Sequence, residues 1–225
     1  KSIEYQGWMA VKYKYLIFDF DGTLADTEEA NFIIYQKLAE KYNLRNITLD
    51  ELGHLKRMSA KDVMAYIELK KRYLPFLLKK GKKLLTQDIK SINLCKPDIF
   101  EIIGRLRQMG IKTAIITTNS KKNVKLFLEA HNVDVIDLVV SAAMFGKEAK
   151  MKKIVRKGKL DLSEYLYVGD EIRDITAARK AGMDIASVAW GYNTVESLKS
   201  HKPDYLIYEP SQLIEIVQGR YNQTL

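Results

Sequence analysis

The chain of 225 residues is poor in the side chains that build disulfides and zinc sites. It contains one cysteine, Cys95, so an intrachain disulfide is impossible and an oxidising compartment is not implied. Its three histidines are scattered along the sequence, and no CxxC or HxxxH pair is present. Because zinc sites need clustered cysteine and histidine ligands, the sequence gives little support for zinc.

Long uncharged apolar runs are also missing. No window of about 18 uncharged apolar residues occurs, so a membrane-spanning helix is not expected. Residues 1–10 contain no apolar stretch of the signal-peptide type, and we therefore expect a cytoplasmic protein. Repeats and low-complexity linkers are absent as well. The length then suits one large domain, or a core with a smaller inserted domain.

Positive charge is present in excess and is placed unevenly. The net charge is +9, and the stretch 56–96 alone holds 12 Lys and Arg against 3 Asp and Glu. Such a stretch can be a solvated helical surface, can steer an anionic substrate, or can contact nucleic acid. No nucleic-acid-binding motif accompanies the charge, so we favour the first two interpretations and do not expect a nucleic-acid partner.

Short apolar runs without alternation indicate strands that are covered on both faces. Between them lie segments with helical spacing, and such alternation predicts a parallel sheet with right-handed crossovers. The fold class that follows is α/β, with a Rossmann-like core whose ligands bind beyond the carboxyl ends of the strands. The predicted strands are 15–19, 111–117, 138–141, 165–168, 185–189 and 205–208, and the predicted helices between them are 97–109, 119–131, 147–157 and 172–181.

One segment interrupts this alternation. Between the first two strands, residues 26–94 have the pattern of helices only, at 28–42, 60–69 and 73–85, with a short helix near 51–55. We predict an inserted α-helical cap domain over residues 27–96. The α/β core would then consist of residues 1–26 and 97–225.

The first strand ends in two carboxylates, Asp19 and Asp21, followed by Gly22. Residues at i and i+2 leave a strand end on the same side, and glycine permits a sharp turn beside them. One acid can attack phosphorus and form an aspartyl-phosphate. The second can protonate the leaving alcohol and later deprotonate water. We predict that Asp19 is the nucleophile and Asp21 the general acid and base.

The run Asp-Phe-Asp-Gly-Thr-Leu at 19–24 resembles the first motif of the haloacid dehalogenase-like phosphatases, and further motifs follow in the order of that family. The resemblance implies that the hydroxyl of Thr118 binds the transferring phosphoryl group, with Asn119 and Gly22 beside it. It also implies a lysine before the last acidic motif. Lys147 fits best because it follows Phe-Gly at a helix start, while its competitors are Lys150, Lys152 and Lys153.

The last motif, Val-Gly-Asp-Glu-Ile-Arg-Asp at 168–174, closes a strand and opens a helix. The resemblance implies a Mg²⁺ cofactor held by Asp19, by the backbone carbonyl of Asp21 and by Asp170. Asp174 would be a ligand through water or would orient Lys147. Carboxylate and carbonyl oxygens are the ligands that Mg²⁺ prefers.

The insert resembles the helical cap of the family's first subgroup, which acts on small phosphorylated metabolites. The segments 190–193 and 202–205 are similar to those of phosphoglycolate phosphatases. These resemblances imply a Mg²⁺-dependent phosphatase for a small phosphomonoester. A phosphosugar mutase of the β-phosphoglucomutase type and a non-catalytic binding protein with a basic surface stay open, as do the natural substrate and the oligomeric state. Arg57 is the preferred substrate contact of the cap, with Lys56 next.

Overall fold

The computed structural model describes residues 11–221. Residues 1–10 and 222–225 lie outside the described part of the chain, and the expectation about a signal peptide falls on the first of these segments. Among the described residues, no helix is long and apolar enough to cross a membrane.

A single sheet of six parallel strands forms the centre of the molecule, in the order β3-β2-β1-β4-β5-β6. Each strand is a short apolar run, and both faces of the sheet are covered by buried side chains. The strands are β1 (Tyr15–Phe18), β2 (Lys112–Thr117), β3 (Leu138–Ser141), β4 (Tyr165–Gly169), β5 (Asp184–Val188) and β6 (Tyr205–Ile207). All six predicted strands are present, and the predicted fold class is confirmed.

Five α-helices form between β1 and β2, and the first four of them form a helical layer: α1 (Glu28–Tyr42), α2 (Leu49–Leu55), α3 (Ala60–Tyr66) and α4 (Leu74–Asp88). Part of this layer has its own small apolar cluster, which includes Ile47, Leu55 and Ile67. The two connections to the sheet run side by side. The backbone N–H of Asp26 donates to Asn93 at 2.9 Å, and that of Cys95 donates to Leu24 at 3.0 Å. We call these four helices the cap helices; the exact limits 27–96 stay a prediction.

Six further helices follow the strands: α5 (Ile99–Gln108), α6 (Lys121–Ala130), α7 (Lys147–Lys157), α8 (Ile172–Ala181), α9 (Val195–Ser200) and α10 (Gln212–Val217). Helix α6 starts two residues later than predicted, because the Ser120 hydroxyl caps it by accepting from the N–H of Asn123 at 3.1 Å. Asn119 therefore stays in the loop after β2. The sequence interpretation did not include α9 and α10.

The register of the sheet brings the candidate residues together. Phe18, at the end of β1, lies opposite Ile115 of β2 and Val168 of β4. The loops after these three neighbouring strands therefore meet at one edge. They carry Asp19, Asn119 and Asp170.

Candidate active site

Asp19 lies directly after β1, and its side chain is 1% exposed. Its backbone N–H donates to the carbonyl of Val168 at 2.8 Å, which ties the residue to the neighbouring strand. One carboxylate oxygen pairs with the ammonium of Lys147, and the other accepts from the N–H of Phe20 at 2.7 Å. Burial raises the pKa of Asp19 to about 7, against the opposing charge of Lys147. The carboxylate is therefore desolvated and held in place by one cation.

Lys147 begins α7 and is fully buried. Its ammonium also donates to Asp174 at 2.7 Å, so it bridges two carboxylates. Burial lowers the pKa of Lys147, but Asp174 and Asp19 raise it by more, and the net shift is upward. The ammonium is therefore kept charged. Its sequence competitors lie elsewhere: Lys150 is partly buried beside β3, and Lys152 and Lys153 are exposed.

Asp21 is surrounded by neutral hydrogen-bond donors. Its carboxylate accepts from the hydroxyl of Thr27 at 3.0 Å, from the side-chain amide of Asn119 at 3.0 Å and from the hydroxyl of Thr117 at 3.4 Å. Burial raises its pKa, while the hydrogen bonds from Thr27 and Asn119 lower it. A carboxyl group in such a site is closer to protonation at neutral pH than an exposed one, which is what a general acid requires.

Two consecutive threonines, one at the end of β2 and one in the loop after it, have different surroundings. Thr117 is buried, faces Asp21 and accepts from the backbone N–H of Asn119 at 2.9 Å. Thr118 is partly buried, and the described residues provide no hydrogen bond to its hydroxyl. Its hydroxyl is therefore not engaged by protein groups, whereas that of Thr117 is. The role predicted for Thr118 as a phosphoryl ligand stays a prediction.

Gly22 makes the sharp turn that follows the two acids. Its φ of 77° lies in the left-handed region, and a Cβ atom there would stand 2.3 Å from a carboxylate oxygen of Asp170. Any side chain at this position would displace that carboxylate. Glycine is thus required by both the backbone conformation and the close approach.

Asp170 follows β4 and is fully buried. Its carboxylate accepts from the hydroxyl of Thr23 at 2.7 Å and from the backbone N–H of Tyr192 at 2.8 Å. Burial raises its pKa well above the ordinary value, and the nearby charges of Glu171, Asp19 and Asp174 raise it further. Asp170 is therefore a carboxylate without a cationic partner among the described residues.

This deficit of positive charge fits a divalent cation. Oxygen atoms of Asp19, Asp170 and Asp174 lie within 4.8 Å of one another. The surrounding buried or nearly buried charged groups are five acids and two bases: Asp19, Asp21, Asp170, Glu171, Asp174, Lys147 and Arg173. All the acidic donors are hard oxygen atoms, with no histidine or cysteine in the cluster. Such a set suits Mg²⁺. Asp174 also accepts from the ammonium of Lys147 at 2.7 Å, and its two predicted roles, as a ligand through water or as the residue that orients Lys147, stay predictions.

Several basic residues of the cap segment lie near this edge. Arg57 has an exposed side chain and does not line the cavity under the cap helices, and its role as a substrate contact stays a prediction. Lys56 lines the cavity described below and pairs with Glu28 at 2.9 Å. Lys82 of α4 is half-buried, and burial lowers its pKa, although Asp21 raises it. Lys82 is therefore a partly desolvated cap lysine whose charge interacts with that of Asp21.

A cavity of about 430 Å³ lies among the cap helices and reaches residues that follow β4 and β5. Its walls are mostly apolar side chains of the cap. Its polar lining includes Asn31, Tyr192 and Arg173. The Tyr192 hydroxyl lies 2.6 Å from that of Thr27 and accepts from Asn31 at 2.8 Å. This chain of contacts links Asp21 to the first cap helix.

Sequence reasoning missed four residues of this site: Thr23, Thr27, Arg173 and Tyr192. Arg173 carries a visible signal, because it is a basic residue inside the acidic motif at 168–174. Thr27 and Tyr192 are 165 positions apart and meet only through the fold. No spacing in the sequence could have paired them.

Known proteins resemble this chain over nearly its whole length. A sequence profile described as haloacid dehalogenase-like hydrolase matches residues 16–188. The phosphoglycolate phosphatase of Synechococcus elongatus is 28% identical over 204 residues, which cover 90% of this chain and 96% of that protein. The pyrophosphatase PpaX of Bacillus velezensis is 25% identical over 223 residues, with 89% and 94% covered.

Solved structures share the fold. A haloacid dehalogenase-like hydrolase from Streptococcus pneumoniae has a TM-score of 0.73 at 17% identity, with 90% of this chain and 97% of that chain covered. CbbY from Rhodobacter sphaeroides, in complex with phosphate, has a TM-score of 0.68 at 19% identity, with 89% and 96% covered. These findings confirm the resemblance inferred from the motifs. The chain belongs to the haloacid dehalogenase-like hydrolases and is an enzyme of the phosphatase type.

Proposed function

We propose that the protein is a Mg²⁺-dependent phosphatase that hydrolyses a small phosphomonoester through a phosphorylated Asp19. The observation that supports this most strongly is the contrast between two neighbouring buried acids. Asp19 is ion-paired with Lys147, whereas Asp21 is held by neutral donors. Such a difference in surroundings lets one carboxyl group act as a nucleophile and the other as an acid.

In the first step, a carboxylate oxygen of Asp19 attacks phosphorus, and the bond from phosphorus to the ester oxygen breaks. Asp21 gives its proton to that oxygen, so the alcohol leaves as a neutral molecule. The ammonium of Lys147 offsets the negative charge that Asp19 and the phosphoryl oxygens bring together. The hydroxyl of Thr118 and the amide of Asn119 would bind the phosphoryl oxygens.

In the second step, Asp21 is ionised and takes a proton from water. The water oxygen attacks phosphorus, and the bond between phosphorus and Asp19 breaks. Inorganic phosphate is released, and the proton remains on Asp21. Both acids thereby return to their starting forms.

Asp19, Asp170 and the backbone carbonyl of Asp21 would hold Mg²⁺. When bound, Mg²⁺ supplies positive charge that stabilises the phosphoryl oxygens and the ionised form of Asp19. The support for this cofactor is the acid excess of the site and the hard oxygen donors at Asp19, Asp170 and Asp174.

The substrate class is proposed from the cap and from the relatives. The cavity of about 430 Å³ falls within the range of small-molecule sites, about 300 to 1,000 Å³. Relatives named phosphoglycolate phosphatase and pyrophosphatase support a small phosphorylated substrate. We therefore place a phosphoglycolate-like phosphomonoester in this cavity, with its phosphoryl group toward Asp19.

A screen for phosphate release across phosphorylated metabolites, with Mg²⁺ and with excess EDTA, tests the proposal. We expect turnover on a subset of small esters and its loss in EDTA. Undiminished turnover after metal removal would contradict the Mg²⁺ requirement. Isomerised sugar phosphate without phosphate release would identify a mutase. Absence of any turnover, together with salt-sensitive RNA retention, would identify a binding protein.

A further inference from the structure

Arg173 lies in the first turn of α8 and is buried to an unusual degree for an arginine. Its side chain is 11% exposed, and it neighbours the acids of the site. Among residues 11–221, its guanidinium has one hydrogen-bond partner, Glu171, two positions earlier in the chain. Glu171 is itself only 13% exposed. The pair is therefore enclosed between the loop after β4 and the cap helices.

Two donors of this guanidinium are unused. Nε and Nη1 of Arg173 are buried and have no hydrogen-bond partner within residues 11–221. Buried donors of a charged group are costly to leave unpaired, and most native structures satisfy them with protein, water or ligand. A group that carries acceptor oxygens is therefore expected at this position.

The position of Arg173 indicates which molecule brings those oxygens. Arg173 lines the cavity of about 430 Å³ under the cap, and it also lines a second cavity of about 350 Å³ together with Lys147. Arg173 thus lies between the cavity proposed for the substrate and Lys147, which pairs with the proposed nucleophile Asp19. Lys147 is already paired with Asp19 and Asp174, whereas Arg173 has free donors.

We propose that Arg173 binds anionic oxygen atoms of the substrate through Nε and Nη1, while Glu171 holds the guanidinium in place through Nη2. The hydrogens of Nε and Nη1 point to different sides of the guanidinium, so each donates to its own oxygen atom. Carboxylate and phosphate oxygens are both suitable acceptors, so the shared chemistry is a planar or tetrahedral oxyanion. This inference rests on the proposed phosphatase function. The oxyanion has two possible sources: the phosphoryl group that reacts, or a second acidic group on the leaving part of the substrate.

A purely structural ion pair between Arg173 and Glu171 makes different predictions. It would affect folding stability when broken and would leave anion binding unchanged. The two interpretations separate most clearly in Glu171→Gln, which removes the competing carboxylate and leaves the guanidinium in the site. If Arg173 binds substrate, this variant binds anions more tightly than the wild-type enzyme does. If the pair is structural, the variant only loses stability.

The experiment compares the wild-type enzyme with Arg173→Gln, Arg173→Lys and Glu171→Gln, and uses Arg179→Gln as the matched control, since Arg179 is an exposed arginine on the same helix. KM and kcat are measured with p-nitrophenyl phosphate and with phosphoglycolate. Calorimetry measures binding of inorganic phosphate and of phosphoglycolate. The calorimetric arm does not require turnover, so it tests Arg173 even if the proposed function fails.

We expect KM to rise about tenfold or more in Arg173→Gln and to be only partly restored in Arg173→Lys, because the single ammonium of lysine cannot replace donors at two separate positions of the guanidinium. KM should fall severalfold in Glu171→Gln and stay unchanged in Arg179→Gln. If KM in the Arg173 variants rises for phosphoglycolate alone, the oxyanion belongs to the leaving group. If KM rises for both esters and inorganic phosphate binds more weakly, the oxyanion belongs to the phosphoryl group. Unchanged KM and unchanged calorimetric affinity in all Arg173 and Glu171 variants would overturn the inference.

Discussion

At the residue scale, the site gives different surroundings to two acids that are two positions apart in the chain. The nearest charged group to Asp19 is the ammonium of Lys147, while Asp21 meets hydroxyl and amide donors. Burial raises the pKa of both acids, but only Asp19 has a paired cation that favours its ionised form. The identity of each acid's partner, rather than its burial, therefore supports the proposed division of roles between Asp19 and Asp21.

Asp21→Asn should separate leaving-group protonation from nucleophilic attack. A general acid typically contributes about 10² to 10⁴ in rate, and an activated ester needs little of this help. We expect a large loss of kcat with an alkyl phosphate and a much smaller loss with p-nitrophenyl phosphate. Steady-state kinetics on both esters measure the ratio. Equal losses on the two would argue against this role for Asp21.

Thr27→Val should move the pH profile of the enzyme. The hydrogen bond from Thr27 stabilises the ionised form of Asp21 and so lowers its pKa, against the larger effect of burial. Its removal raises that pKa further. Because the protonated form of Asp21 is the active acid, the limb of kcat that falls with rising pH should move to higher pH.

This shift is measured with an alkyl phosphate, and Thr176→Val, a change at an exposed threonine on α8, serves as the control. A profile that does not move in Thr27→Val would mean that this hydrogen bond does not tune the acid.

At the scale of elements, the sequence predicted the parts whose ends carry their own signals. Helices α7 and α8 have the predicted bounds, because Gly146 precedes one and Gly182, with a φ of 74°, ends the other. Helices α9 and α10 are six residues each, too short to show a helical period. The motifs at the strand ends also predicted which acids lie close together in the folded chain. The orientation of the cap helices was not predictable, since it depends on packing between distant segments.

That orientation decides which cap lysine or arginine meets the substrate. The sequence favoured Arg57, because it follows a short helix, but its side chain is exposed. Helix α4 instead brings the half-buried Lys82 toward Asp21, and burial there lowers the pKa of Lys82. A partly desolvated cation interacts more strongly with an anion than an exposed one does.

We therefore expect Lys82→Ala to raise KM for the best substrate by about fivefold, the factor that corresponds to about 1 kcal/mol. Arg57→Ala is the matched variant, and it should change KM by less. Parallel KM measurements on both variants decide between the two positions. A larger effect of Arg57→Ala would restore the assignment made from the sequence.

At the scale of the whole molecule, charge is distributed in two opposite ways. The chain carries +9 overall, with the excess in the segment 56–96, while the buried site has more acids than bases. The basic surface can attract an anionic substrate. The buried acids would repel the same substrate unless a bound cation offsets their charge.

If the surface charge attracts the substrate, kcat/KM should fall as ionic strength rises. Screening acts over about 8 to 10 Å at physiological salt, so the decrease should be evident between low and physiological ionic strength. The comparison is made at constant Mg²⁺ with one dianionic ester. A value of kcat/KM that does not depend on salt would leave the basic surface without a role in substrate capture.

Mg²⁺ should stabilise the protein more strongly at higher pH. Without the metal, burial raises the pKa of Asp19 from about 4 to about 7, so the folded chain binds an extra proton within this range. Stability of the metal-free protein should then fall as pH rises through that window. Mg²⁺ competes with this proton, and its stabilising effect should grow over the same window.

Thermal unfolding with and without Mg²⁺ at pH 5.5 and pH 8 measures the effect. Saturation at about 100 times Kd gives about 2.7 kcal/mol, or a rise of several degrees in Tm for a chain of this size. Asp170→Asn, which removes one donor, should reduce the rise at both pH values. An equal rise at both pH values in the wild-type protein would contradict the proposed proton competition.

The central claim is that Asp19 forms the covalent intermediate, and Asp19→Asn tests it most directly. The substitution preserves side-chain size and removes the nucleophilic oxygen charge, so the covalent route is lost. With Mg²⁺ and the best substrate of the screen, we predict that phosphate release falls by at least about a thousandfold. An unchanged circular dichroism spectrum would confirm that the fold is retained. Phosphate release at close to the wild-type rate by pure Asp19→Asn protein would contradict the account.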